Sequence, residues 1–291
     1  MQWSAASLAI LLLVVGNLAA SLSDVAVKLL NGEISSFQYV FMRQLLSVLI
    51  ILPLWWRQSA SQRTLTAPGV IGIRAVLIML GSGCMMIAIT HLPLATANAV
   101  FYAAPLIMLP LSVWILKEIP PLAKVLATTI GFIGVLMVLR PSQFHWAAWF
   151  ALGTATTLAV FNILARKLPP EQPVITTLFW TSIMTVPLSG VMAVLYWQPI
   201  TLAQVGLVAL SAGLILTYNG LAVMAYRKAP AGQIALAEYS GLVFVVIIGI
   251  WGFNEIPDSL TALGIVMIIL PLLPYRDILQ RRSIRRTKQT K

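Results

Sequence analysis

The sequence predicts an all-α membrane protein of ten transmembrane helices arranged as two inverted five-helix repeats. Three observations carry this: a composition suited to hydrocarbon, regularly spaced apolar runs, and an internal repeat. Of 291 residues, 59% are hydrophobic and 9% charged, with a mean hydropathy of +0.93. A water-soluble domain carries about 25% charged residues, so an ordinary soluble enzyme is excluded. A spanning helix takes about 20 residues, which leaves room for about ten spans and no separate soluble domain.

Breaking the chain at Pro, Gly and charge clusters gives candidate spans near residues 5–30, 35–56, 68–90, 94–116, 121–140, 146–166, 174–197, 203–226, 231–253 and 259–275. The runs are continuous and lack period-2 alternation, so they read as helices rather than barrel strands. Leu8 to Val15 resembles the core of a secretory signal, but no Lys or Arg precedes it and the apolar stretch runs on to Leu30, so it reads as a span.

The repeat is visible without gaps. Ala88 to Pro121 lies over Ala225 to Asp258 at an offset of 137, and seven of the 34 positions match, among them Tyr102/Tyr239, Trp114/Trp251, Glu118/Glu255 and Pro120/Pro257. Chance agreement between apolar helices would pair mostly Leu, Val and Ala. Each half holds five spans, and an odd number makes the second copy enter the membrane from the opposite side. The halves are residues 1–141 and 142–275, followed by a basic tail, 276–291. Inverted repeats recur in secondary transporters, where they enclose a midplane site and expose it to each side in turn.

Nineteen Lys and Arg against eight Asp and Glu give +11. Seven of the nineteen follow Pro274, and Arg57, Arg63, Lys117, Lys124, Arg166, Lys167, Arg227 and Lys228 fall between spans on one side, with Arg74 near a span end there. That bias places both termini in the cytoplasm. The surplus is thus topological, and no nucleic-acid partner is expected. The single Cys84 excludes a disulfide framework. The repeated Glu-Ile-Pro triplets, 118–120 and 255–257, each precede a new helix and read as caps, with Asp258 or Ser259 adding a side-chain cap.

Phe41-Met42-Arg43 in the second span, the Glu-x-Pro endings of spans four and nine, and Gly131, Gly134 and Gly264 in spans five and ten resemble the EamA family of the drug/metabolite transporter superfamily. Lys117 departs from the family pattern, which has glycine before the first Glu. The resemblance covers nearly the whole chain and implies a bacterial inner-membrane carrier of a small organic metabolite. Riboflavin uptake is the first expectation it carries, from overall similarity to the riboflavin-importing branch. Amino-acid or metabolite export is the second, and a membrane-embedded enzyme or non-transporting assembly factor is the alternative from another class.

Charges inside a span are costly and mark function or bracing. Asp24 and Lys28 share a face of the first span, and Asp24 and Arg43 lie about 9–12 Å from the outer ends of their spans at 1.5 Å per residue. They are candidates for an ion pair that either braces two helices or acts as a gate, with Lys28 snorkelling outward. Glu238, with no base nearby in sequence, is the candidate for substrate binding or a coupled proton. Tyr102 and Tyr239, held at repeat-related positions, suggest the cavity, joined by Asn98 one turn before Tyr102 and by Tyr218 and Asn219. Asn17 and Ser21 add hydrogen-bonding groups, and Pro105 and Pro110 would bend span four. His91 and His145 are too isolated for a metal site, and no nucleotide-binding motif occurs, so no cofactor or catalytic residue is expected. The expected partners are a small-molecule substrate and the lipid bilayer, with a homodimer left open.

Overall fold

The computed structural model describes residues 5–116, 122–139, 145–165, 167–169, 171–228, 237 and 240–269. These residues form helices, with no strand among them. In chain order they are α1 (Ala5–Leu29), α2 (Ser36–Trp56), the single turn α3 (Ala60–Arg63), α4 (Pro68–His91), α5 (Leu94–Phe101), α6 (Ala104–Leu116), α7 (Leu122–Leu139), α8 (Ala148–Ala165), α9 (Val174–Leu195), α10 (Leu202–Lys228), α11 (Ser240–Phe253) and α12 (Ser259–Ile269). Five of them, α1, α2, α4, α9 and α10, are long and apolar enough to cross a membrane.

Local chemistry sets the joints. Asn31 and Gly32 take positive φ of 50° and 72° to turn the chain between α1 and α2, and Ser35 caps α2 by accepting from the Gln38 amide at 3.1 Å. The fourth candidate span divides into α5 and α6. Pro105 has no N–H to give to the carbonyl four residues back, and the ladder instead closes tight turns, Ala103 to the Val100 carbonyl and Leu106 to the Ala103 carbonyl. Pro110 lies within α6 without interrupting it.

The helices pair across the two halves of the chain: α1 packs on α10, α4 on α8, α2 on α9 and α7 on α12, with α11 against α1 and α5. Small residues allow the close crossings. A Cβ on Gly264 would fall 2.7 Å from the Gly134 carbonyl oxygen, which makes α7 and α12 nearly touch through their backbones. The polarity of the bundle is reversed relative to a water-soluble protein. Asn17, Gln38, Gln44, Thr181 and Thr185 are buried, while Trp114, Trp251 and Leu202 are 80%, 86% and 88% exposed. Thr181, Thr185 and Ser189 return their hydroxyls to carbonyls four residues earlier in α9, so the buried hydroxyls are satisfied within protein.

Two ends of the bundle are recognisable. At one, the Gln38 and Gln198 amides exchange hydrogen bonds of 3.0 Å and Gln204 donates to Glu33 at 2.6 Å; this is the Lys28 end. At the other, Trp180 donates to the Arg63 carbonyl at 2.9 Å and Thr176 to the Gln62 carbonyl at 2.7 Å. Trp55 stacks on Phe179 there, with ring centroids 4.2 Å apart.

Replacement of Gly264 by Val is expected to cost about 1–3 kcal/mol, as overpacking usually does. Gly72→Ala, with open space around its Cβ, should hold or slightly raise the melting temperature because Ala favours helix. Thermal unfolding of the purified protein in detergent measures both.

Candidate functional site

One face of α1 organises the interior. Asn17, Ser21, Asp24 and Lys28 follow at spacings of four, three and four, the repeat that aligns side chains along one helical face. Near the middle of α1, the Asn17 side-chain amide donates to the Ala237 carbonyl at 2.8 Å and to the Ser240 hydroxyl at 3.2 Å. One turn on, the Ser21 hydroxyl donates to its own helix at the Asn17 carbonyl, 2.9 Å, and to the Gly241 carbonyl, 3.2 Å. The start of α11 is thereby sewn to α1.

Tyr102 occupies the break between α5 and α6, and its hydroxyl lies so close to Gly241 that a Cβ there would collide with it; the same Cβ would sit 3.4 Å from that of Asn17. Tyr218 lies against Gly16, its Cδ2 3.4 Å from where a Cβ would stand. Tyr102 and Tyr218, predicted from sequence, therefore flank the same stretch of α1. Asn219 is half-buried in α10. Glu238 and Tyr239 lie outside the described residues, between Ala237 and Ser240, which both bond Asn17.

Higher on the same face, Asp24 is hydrogen-bonded by the side chain of Asn98 and feels the charge of Arg43. Asn98 is buried and also donates to the Leu94 carbonyl at 3.2 Å. Arg43, 7% exposed, gives its direct hydrogen bond to the Ser82 hydroxyl and stands 5.5 Å over the Tyr39 ring. Asp24 and Arg43 thus act on each other through space, with no salt bridge closed between them. A second polar seam holds α1, α2 and α10 together, where Ser211 meets Ser23 at 2.7 Å and Tyr39 at 3.1 Å.

Lys28 does not snorkel away. Its ammonium pairs with Glu255 Oε1 at 2.5 Å, with the side chains 13% and 21% exposed. It also donates to the Leu92 carbonyl at 3.1 Å and lies 5.3 Å from the Phe253 ring centroid. Glu255 Oε2 accepts from the Leu94 amide at 2.6 Å. Glu255 is a cap, as its Glu-Ile-Pro setting suggests, but of α5, far away in sequence. α12 takes Asp258 instead, which accepts from the Thr261 amide at 3.0 Å. A latch of one ion pair and one helix cap therefore joins the two halves at the Lys28 end. Sequence reading misses it because the partners are 227 positions apart. Beside it opens a cavity of about 470 Å³ lined by Pro93, Thr96, Leu139, His145, Glu255 and Pro257 among others, which is displaced from the tyrosines toward the end of the bundle. Among the described residues no group of three His, Cys, Asp or Glu could hold a metal.

The EamA-like transporter family model matches residues 7–140 and again 145–273. The chain belongs to the EamA-like transporter family. It is a multi-pass membrane transporter of that family, within the drug/metabolite transporter superfamily. An S-adenosylmethionine uptake transporter of Rickettsia prowazekii (strain Madrid E) is 29% identical, covering 86% of each chain. A pseudopaline exporter of Pseudomonas aeruginosa (strain UCBPP-PA14) is 25% identical over 90% of this chain and 93% of its own. A riboflavin transporter of Vibrio cholerae (serotype O1, strain El Tor Inaba N16961) is 25% identical over 68% of each. A crystal structure 17% identical in sequence superposes with a TM-score of 0.63, covering 94% of this chain and 98% of its own, so the fold of this EamA-like protein is shared with a solved one.

Lys28→Met is expected to cost this EamA-like protein about 1.5–3 kcal/mol, the usual worth of a charge-assisted hydrogen bond. Lys28→Met with Glu255→Leu should cost less than the two single variants combined, with a coupling of about 0.5–3 kcal/mol. A double-mutant cycle read by thermal unfolding in detergent checks it, and additive losses would mean that the latch contributes nothing.

Proposed function

We propose that this EamA-like protein is a bacterial inner-membrane secondary transporter built of ten spans in two inverted repeats, with the Lys28 end facing the periplasm and both termini in the cytoplasm. The observation that carries the reading is a contact that recurs under the repeat. The offset of 137 pairs Gly16 with Gly153 and Cys84 with Leu221. A Cβ on Gly16 would meet Leu221 Cβ at 3.5 Å, and one on Gly153 would meet Cys84 Sγ at 3.1 Å. The same exchange converts the α1 and α10 pair into the α8 and α4 pair, and returns α2 with α9 and α7 with α12 to themselves. Trp114 and Trp251, matched by the offset, are both strongly exposed. Such symmetry supports alternating access, because two interchangeable halves make the inward-open and outward-open states similar in energy.

In this reading the substrate lies along the polar face of α1 between Tyr102 and Tyr218, with Asn98, Asn219, Glu238 and Tyr239 as further contacts. Asp24 and Arg43 form a charged layer above it, and Lys28 with Glu255 closes the periplasmic side. The substrate is a small organic metabolite. S-adenosylmethionine is favoured over riboflavin, because the rickettsial relative matches at higher identity over a larger share of both chains than the Vibrio riboflavin transporter does. Charged groups buried at Asp24 and Arg43 also suit an ionic solute better than a neutral one.

Purified protein in vesicles is expected to take up labelled S-adenosylmethionine saturably, and riboflavin weakly; uptake no higher than in empty vesicles for either compound would reject the carrier. Glu238→Gln should abolish uptake at normal yield of folded protein. Single cysteines placed at Lys117 and Asn254 are expected to be labelled from opposite sides of the membrane, and labelling from one side would reject the inverted arrangement.

A further inference from the structure

Arg74 is a buried charge with no carboxylate partner among the described residues. It sits in α4, seven-tenths of the way toward the Arg63 end, and is 5% exposed. Its Nη1 donates to the Phe161 carbonyl at 2.6 Å, and its guanidinium carbon lies 3.5 Å over the Phe161 ring. Its Nε is buried with no acceptor, and no carboxylate pairs with it among the described residues. A guanidinium offers five N–H donors, and a cation inside a span is expensive unless something answers it.

Two other charges among the described residues have an opposite charge at hand: Asp24 lies near Arg43, and Lys28 pairs with Glu255. Arg74 has no carboxylate within salt-bridge distance among the described residues. The fold itself does not demand the cation. At the offset of 137 the counterpart of Arg74 is Ser211, whose hydroxyl meets Ser23 and Tyr39, so the equivalent position in the crossing of α1 and α10 carries a hydroxyl in place of a cation. The counterpart of Phe161 is Asp24. One copy of the crossing thus carries a satisfied hydroxyl seam, and the other a clamped cation whose buried Nε has no acceptor.

We infer that Arg74 binds a carboxylate of the transported molecule, and so makes this EamA-like protein selective for amino-acid-type solutes over their carboxylate-free analogues. The inference rests on the carrier reading above. Phe161 fixes the fork through its carbonyl and its ring, which leaves less freedom to lose when the ligand arrives, and a planar fork matches a carboxylate in two parallel hydrogen bonds. A carboxylate supplies the acceptor and the opposite charge that Arg74 lacks among the described residues.

The test compares S-adenosylmethionine with decarboxylated S-adenosylmethionine, which keeps the sulfonium and the amine and lacks only the carboxylate. Wild-type protein in vesicles is expected to take up the first with about tenfold or greater advantage in kcat/KM, the size of one charge-assisted contact. Arg74→Gln should bring that ratio close to one by lowering uptake of the carboxylate compound alone, and Arg74→Lys should retain part of it. In detergent, S-adenosylmethionine should raise the melting temperature of the wild type and not of Arg74→Gln, which reads binding even if turnover is lost. Equal handling of the two compounds by the wild type, or a parallel fall for both in the variants, overturns the role of Arg74. Uptake of neither compound, nor of riboflavin, by folded wild-type protein overturns the carrier reading itself.

Discussion

Hydrocarbon cannot hydrogen-bond, so every polar group in a span must find its partner in protein. α1 shows how this constraint shapes the molecule. Its polar face reaches Ala237, Ser240 and Gly241 through Asn17 and Ser21, Asn98 through Asp24, and Glu255 through Lys28. Most of these partners lie in the second half of the chain. Interhelical hydrogen bonds in membranes are worth about 0.6–2 kcal/mol each. A row of such contacts registers one half against the other while leaving each contact weak enough to exchange. The exception is the latch, where two full charges and a helix amide meet in a partly enclosed place.

Five of the spans, α1, α2, α4, α9 and α10, were legible because about 20 apolar residues in succession are needed to cross the bilayer and few other structures need them. Depth was legible too: counting along α1 and α2 placed Asp24 and Arg43 at one level, and they do sense each other. What counting could not give was azimuth, and Arg43 turns to Ser82 instead of closing on Asp24. The two prolines of span four looked equivalent in sequence. Pro105 stands where the ladder breaks between α5 and α6, whereas Pro110 is carried within a continuous helix. Glu255 was recognisable as a cap from its neighbours. Which helix it caps depends on tertiary packing, and the Leu94 amide is 161 positions away.

The halves share a scaffold but not a chemistry. At the offset of 137, Asp24, Arg43 and Arg74 correspond to Phe161, Trp180 and Ser211. At these positions the first half supplies the charges and the second carries aromatic rings and a hydroxyl. On the carrier reading proposed above, symmetry in the backbone gives two exchangeable conformations similar energies. Asymmetry in the side chains is what a small solute needs, because a molecule with distinct ends can be held in one orientation only by a site whose own ends differ. On that reading, duplication accounts for the movement of this EamA-like protein, and divergence between the copies accounts for its choice of solute.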